Sequence, residues 1–184
     1  MVSLRSKLTL LLVCALAPLS ACAESFELLS VGVRARFGEK RVLGEKAPES
    51  FRAYDVVASF RLPWEGYSRS GWGVGSRLLT GAGLLRGAGK NALVVSATPV
   101  LAFGSQDRRF TADMGAGLAL FSAHRFAQQD FGGPLQFTLT FGFGVPLYGP
   151  VGVGYRFMHY SDAGAYGDHT IGADFHMIEL TYRF

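Results

Sequence analysis

Three residues near the end of the chain, His159, Ser161 and Asp174, are of the types that hydrolyse esters and amides by a covalent route. A serine hydroxyl is a weak nucleophile on its own. An imidazole can take its proton, and a carboxylate can hold that imidazole in the productive orientation. His159 and Ser161 are two residues apart, so on an extended chain they share a face, together with Val151, Val153, Tyr155 and Phe157. Asp174 likewise shares a face with Ile178, Leu180, Tyr182 and Phe184. A Gly- and Asp-containing connection joins the two stretches. If they pair as a hairpin, hydroxyl, imidazole and carboxylate meet at one end of an apolar surface. The other candidates offer less. His124, His169 and His176 lack partners at metal-ligand spacing and read as loop or rim residues, and Asp168 reads as solvated. Gly81-Ala82-Gly83 to Gly89 lacks the strand–loop–helix setting of a phosphate cradle and reads as close strand packing and a turn. Neither a cofactor nor a metal is expected.

The elements that must position these groups follow from composition and period. The chain has 184 residues, enough for one domain, and at 49% hydrophobic and 17% charged it is too apolar to be disordered. Arg5 and Lys7 precede an apolar run, Leu8 to Leu19, and then Ala21-Cys22-Ala23. This is the pattern of a secretory signal peptide over 1–23, leaving a domain over 24–184. Leu19-Ser20-Ala21-Cys22 also resembles a lipoprotein signal with a lipidated Cys22, and both readings stay open. Cys14 and Cys22 both fall in this segment, so the domain has neither a disulfide nor a thiolate metal site. The formal charge of +4 drops to +2 without Arg5 and Lys7, too weak a bias for nucleic acid. Beyond the signal, no apolar run approaches the ~20 residues of a membrane helix.

Eight alternating segments account for the domain, at about 30–38, 51–62, 71–85, 92–103, 109–121, 134–145, 150–161 and 173–184. The sixth is the clearest, with Leu135, Phe137, Leu139, Phe141, Phe143 and Val145 against Gln136, Thr138, Thr140, Gly142 and Gly144. The second face of the set carries both signs: Arg34, Arg36, Arg61, Arg77, Arg156 and Arg183 beside Asp55, Asp113 and Glu179. A soluble sandwich would turn that face to water, whereas a membrane barrel would turn it inward and leave the apolar face to lipid. Each segment can cross a bilayer as a tilted strand, and eight strands close a barrel that side chains just fill. The exported start, the even strand number and the lack of cysteine favour the all-β reading as an eight-stranded antiparallel outer-membrane barrel. Ile178, Leu180, Tyr182 and Phe184 alternate up to the last residue, an ending that resembles the signal read by the barrel-assembly machinery. With both barrel ends in the periplasm, the 162–172 connection is external, and Trp64, Tyr67 and Trp72 form an aromatic belt at the periplasmic end. The site then lies at the outer rim, facing lipid, where the ester-linked lipid is lipopolysaccharide. Leu139 is placed on the lipid face, as a candidate for the bilayer midplane.

His159-Tyr160-Ser161-Asp162-Ala163-Gly164 resembles the His-x-Ser-Asn-Ala-Gly signature of the lipid A 3-O-deacylase family, the PagL-like acyloxyacyl hydrolases. The resemblance covers the terminal hairpin, and the eight-strand layout agrees with it. It implies an outer-membrane barrel that hydrolyses an ester-linked acyl chain of lipid A with a Ser-His-acid triad and no metal. Ser161 is then the nucleophile, His159 the base and Asp174 the acid, in a place where the best-known members carry Glu. The signature's Asn, with the backbone N–H of Gly164, is the expected oxyanion binder. Here Asp162 takes its place, and an ionised carboxylate accepts hydrogen bonds but cannot donate them. The implied partners are lipid A and the outer membrane, with a homodimer left open. The alternative is a non-catalytic barrel that binds lipid or has a structural role, its site decayed at Asp162.

Overall fold

Alternation becomes a closed sheet. In a computed structural model the described residues are 26–38, 42–43, 47–106, 109–167 and 169–184, and they form ten strands. These are β1 (Leu28–Gly38), β2 (Phe51–Tyr67), β3 (Trp72–Gly87), β4 (Lys90–Ser105), β5 (Thr111–Phe121), β6 (Arg125–Phe126), β7 (Gln129–Asp130), β8 (Leu135–Tyr148), β9 (Val151–Ser161) and β10 (Ala173–Arg183). All but β6 and β7 close an antiparallel barrel in the order β1-β10-β9-β8-β5-β4-β3-β2. Closure removes the free edges that lipid cannot satisfy. The eight alternating segments map onto these eight strands. Several strands run longer than the apolar pattern, so Trp64 and Tyr67 belong to β2 itself. The segment 1–23 lies outside the described residues.

The apolar set faces outward. Along β8, Leu135, Phe137, Leu139, Phe141 and Phe143 are exposed, while Gln136, Thr138, Thr140 and Gly142 between them are buried. This is the inverse of a soluble sandwich, and water would be a poor solvent for such a wall. Among the described residues no helix is long and apolar enough to cross a membrane; the crossing is made by strands. The register corrects one depth. Leu139 is the ladder partner of His159, so it stands beside the site, not at mid-barrel; Phe141, opposite Phe157, lies deeper.

Inside, the charges neutralise one another across the lumen. Arg34 Nε donates to Asp55 Oδ2 at 2.9 Å and Arg34 Nη1 lies 3.8 Å from Glu179. Arg156 grips Asp113 with two bonds of 2.7 and 2.9 Å and reaches Glu179 at 3.1 Å. Glycines make room for this belt: a Cβ on Gly142 would sit 2.7 Å from the Arg156 guanidinium, and one on Gly81 2.7 Å from Arg34. Above the belt, at the end that carries the site, an apolar plug of Phe51, Phe121, Phe126, Phe131, Tyr160 and Phe175 fills the barrel. The β6–β7 hairpin supplies Phe126 to this plug. The Gly81 to Gly89 stretch ends in a two-residue hairpin turn with positive φ at Ala88 (46°) and Gly89 (74°), the turn whose twist matches the strands it joins. At the opposite end Trp64, Tyr67 and Trp72 are exposed, and Trp72 stacks on Phe103 with centroids 5.3 Å apart.

Candidate active site

Ladder register brings the acid to the base. Asp174 and His159 are direct partners across β10 and β9, with both side chains on the outer wall. Asp174 Oδ1 accepts a hydrogen bond of 2.6 Å from His159 Nδ1. The shorter carboxylate therefore reaches the imidazole. With the proton on Nδ1, Nε2 is left as the acceptor, which is the state a general base requires. The second carboxylate oxygen, Oδ2, accepts the backbone N–H groups of Val42 and Leu43 at 2.5 and 2.7 Å. This short segment between β1 and β2 covers the acid, so that Asp174 is only 8% exposed although it lies on the outer wall. Main-chain donors leave no mark in a sequence pattern, and sequence reasoning missed them.

Ser161 closes β9 on the same outer face, two residues beyond His159. Its hydroxyl makes no hydrogen bond among the described residues. The structure thus joins His159 to Asp174 and sets Ser161 next along the strand without a bond to either. Gly172, just before β10, bounds the working edge of the imidazole. A Cβ there would lie 3.0 Å from His159 Cε1, 3.2 Å from Nε2 and 2.7 Å from the Tyr160 carbonyl oxygen. Gly172→Ala is therefore expected to push the ring from its place and lower turnover about 10–100-fold, the scale set by displacements near 1 Å. Heat-modifiable gel mobility should show an intact barrel. Unchanged turnover would mean that the ring tolerates the crowding.

The connection after Ser161 is organised by Asp162, which is 5% exposed. Its Oδ1 accepts the Gly164 N–H at 3.2 Å and the Thr170 hydroxyl at 2.8 Å, and its Oδ2 accepts the Tyr166 N–H at 2.9 Å. Ala163 (φ 52°) and Gly164 (φ 80°) turn through the left-handed region to allow this. Burial raises the Asp162 pKa, but the bonds from Tyr166, Thr170 and Gly164 outweigh it and hold the carboxyl below its usual range. The loop also rests on the β6–β7 cap. Tyr166 lies against Gly132 and Gly133, where any Cβ would collide with its ring. Ile171 N–H donates to the Asp130 carbonyl at 2.9 Å, and Gln129 Nε2 donates to the Ile171 carbonyl.

His176 is no rim residue. It lies within β10 on the outer wall, nearly buried, with Nδ1 2.7 Å from the Tyr155 hydroxyl. His124 and His169 lie outside the strands, and Asp168 lies outside the described residues. Among the described residues no group of three His, Cys, Asp or Glu could hold a metal.

An outward apolar wall on a closed eight-stranded antiparallel barrel, with ion pairs sealed inside, defines an integral β-barrel protein of the bacterial outer membrane. The chain belongs to the family described as lipid A 3-O-deacylase (PagL), whose profile matches residues 52–183. It is similar to the lipid A deacylase PagL of Pseudomonas aeruginosa, with 32% identity over 112 residues, covering 56% of this chain and 64% of the relative. The match therefore spans just under two thirds of that relative's length. The crystal structure of the outer membrane enzyme PagL shares the fold with a TM-score of 0.67 at 20% identity, covering 84% of this chain and 99% of its own.

Proposed function

We propose that this protein is an outer-membrane esterase that hydrolyses the 3-O-linked acyl chain of lipid A in lipopolysaccharide. The observation that carries the reading is the 2.6 Å contact of His159 with Asp174 beside Ser161, at the lipid-facing end of a barrel of this family. Ser161 Oγ attacks the ester carbonyl while His159 Nε2 takes its proton. The tetrahedral intermediate expels the sugar hydroxyl, which receives that proton from His159. Water, deprotonated by His159, then releases the fatty acid and restores Ser161. Asp174 stabilises the imidazolium at both steps, and the Val42 and Leu43 amides hold Asp174 in place.

In this proposal Asp162 and Gly164 form the oxyanion loop with divided roles. Ionised Asp162 has no proton to offer and serves as the anchor that shapes the loop, while the Gly164 N–H, which donates to Asp162 Oδ1 at 3.2 Å, exchanges that bond for one to the oxyanion as the intermediate forms. The same observation favours the second reading, a barrel that only binds lipid, because the position of the family's Asn is filled by an acceptor. All these residues come from one chain, so the reaction does not require the homodimer. Residues 1–23 would direct export, and the outward Ile178, Leu180, Tyr182 and Phe184 suit recognition by the assembly machinery.

The test is mass spectrometry of lipid A incubated with the purified, micelle-embedded protein. The deacylase reading expects loss of one ester-linked hydroxyacyl group and appearance of the free hydroxy fatty acid. Unchanged lipid A in the presence of fully folded protein would select the lipid-binding reading.

A further inference from the structure

Two arginines face each other on the outer wall. Arg52 of β2 and Arg86 of β3 are direct ladder partners. Both are exposed, and the residues flanking each of them along its strand, Phe51, Ala53, Leu85 and Gly87, are buried. Like charges placed opposite each other destabilise a strand pair. Other arginines of this chain meet a carboxylate: Arg34 meets Asp55, Arg61 meets Glu27, Arg125 meets Asp130 and Arg156 meets Asp113. Among the described residues Arg52 and Arg86 make no hydrogen bond or ion pair. The carboxylate of Glu49, three residues before Arg52, is turned to the Gln128 N–H. Asn91 continues the row on β4, and Lys90 stands at the turn with its Nζ 3.5 Å from the Arg125 carbonyl. One step deeper the same strands present Tyr54, Leu84 and Leu93, all exposed to lipid. The cations therefore mark the border where apolar wall gives way to headgroups.

The barrel's stagger puts this border level with the catalytic groups. Ladder partners followed from Val33 through Val56, Ala82, Val95, Leu120 and Leu135 arrive above Ser161, whereas Val33 reaches Val153 directly through Leu180. Rows thus climb toward the site end in the direction β9, β10, β1, β2. In the row Tyr155, Ile178, Ala35 and Tyr54, Arg52 stands one outward step above Tyr54, and the climb lifts it to the height of His159 and Ser161. Laterally, β2 is three strand spacings from β9, which carries His159 and Ser161, roughly 14 Å.

We infer that Arg52 and Arg86 bind a phosphate group on the sugar headgroup of lipid A while the ester chain of the same molecule lies at Ser161. Two guanidinium forks on one edge match the several acceptor oxygens of a phosphate monoester, and the dianion removes the repulsion between them. The inference rests on the deacylase reading for the identity of the lipid. Its test is therefore a binding measurement on protein that cannot turn over.

The experiment uses Ser161→Ala protein in micelles with two probes, lipid A bearing its phosphates and lipid A from which they have been removed. Replacing both arginines, as Arg52→Gln and Arg86→Gln, is expected to weaken binding of the phosphorylated probe about tenfold or more, the scale of charge-assisted bonds. Binding of the dephosphorylated probe should not change, and the double variant should lose no thermal stability because a repulsion has been removed. Inorganic phosphate and phosphatidylglycerol should compete poorly, since they lack the acyl and sugar contacts. Equal loss of binding for both probes, or no loss for either, would overturn the inference. Displacement of lipid A by phosphatidylglycerol or inorganic phosphate as readily as by unlabelled lipid A would also overturn it, leaving a general anion contact. Failure of deacylation alone would leave the binding result standing and would count against the proposed activity instead.

Discussion

Ser161→Ala is expected to reduce release of hydroxy fatty acid from lipid A by about four orders of magnitude or more, the size seen when a triad nucleophile is removed. The change deletes one hydroxyl at the end of β9 that makes no hydrogen bond among the described residues. Barrel stability should therefore be untouched, and the whole effect should fall on turnover with lipid A binding retained. His159→Ala should be about as severe, because in the proposed mechanism Nε2 takes the Ser161 proton, and Nδ1 is already committed to Asp174. The double variant should be no worse than either single one, since the groups act as a unit. Steady-state rates on lipid A micelles, with thermal unfolding as the control, decide the matter. Native rates in Ser161→Ala protein would remove Ser161 from the mechanism, and additive losses would break the link between the two residues.

The second large effect lies in the lumen. Asp113→Ala leaves Arg156, itself 5% exposed, without its two-pronged partner and, among the described residues, with the 3.1 Å bond to Glu179 and a weaker 3.3 Å one to the Thr140 hydroxyl. Breaking a buried ion pair from one side costs about 3–5 kcal/mol, mostly the penalty of a charge left unpaired away from water. The variant should unfold from micelles at a clearly lower urea concentration. Joining it with Arg156→Met should recover much of the loss, because removing both charges removes the penalty and Met fills the space beside Gly142. A single variant as stable as the native protein would mean that water enters the lumen freely at Arg156.

Much of this molecule is legible in its residues alone. A barrel wall between lipid and a filled lumen imposes a two-residue period on every strand, so the eight crossing strands declared themselves through runs such as Leu135 to Val145. The charges of both signs on the second face likewise announced a lumen in which they could pair. His159 and Ser161 could be read together because their spacing alone puts them on one face, and the resemblance of the surrounding residues to a family signature supplied the chemistry. Strand ends were less visible, since Trp64 and Tyr67 continue β2 past the point where alternation fades. The β6–β7 hairpin has two residues per strand, too few to show any period.

What only the tertiary structure decided came from register and from the main chain. A one-residue slip of β10 against β9 would move Asp174 to the opposite face, and no local pattern specifies that His159 is its partner. The same is true of Leu139 beside His159 and of Arg52 beside Arg86, pairs made by strands whose alignment depends on the closed barrel. The amides of Val42 and Leu43 on Asp174, and those of Gly164 and Tyr166 on Asp162, are donors that every residue but proline carries, so their use cannot be read from residue types. Side-chain chemistry is written in the sequence, whereas the position of a backbone N–H is known only once the chain has closed around it.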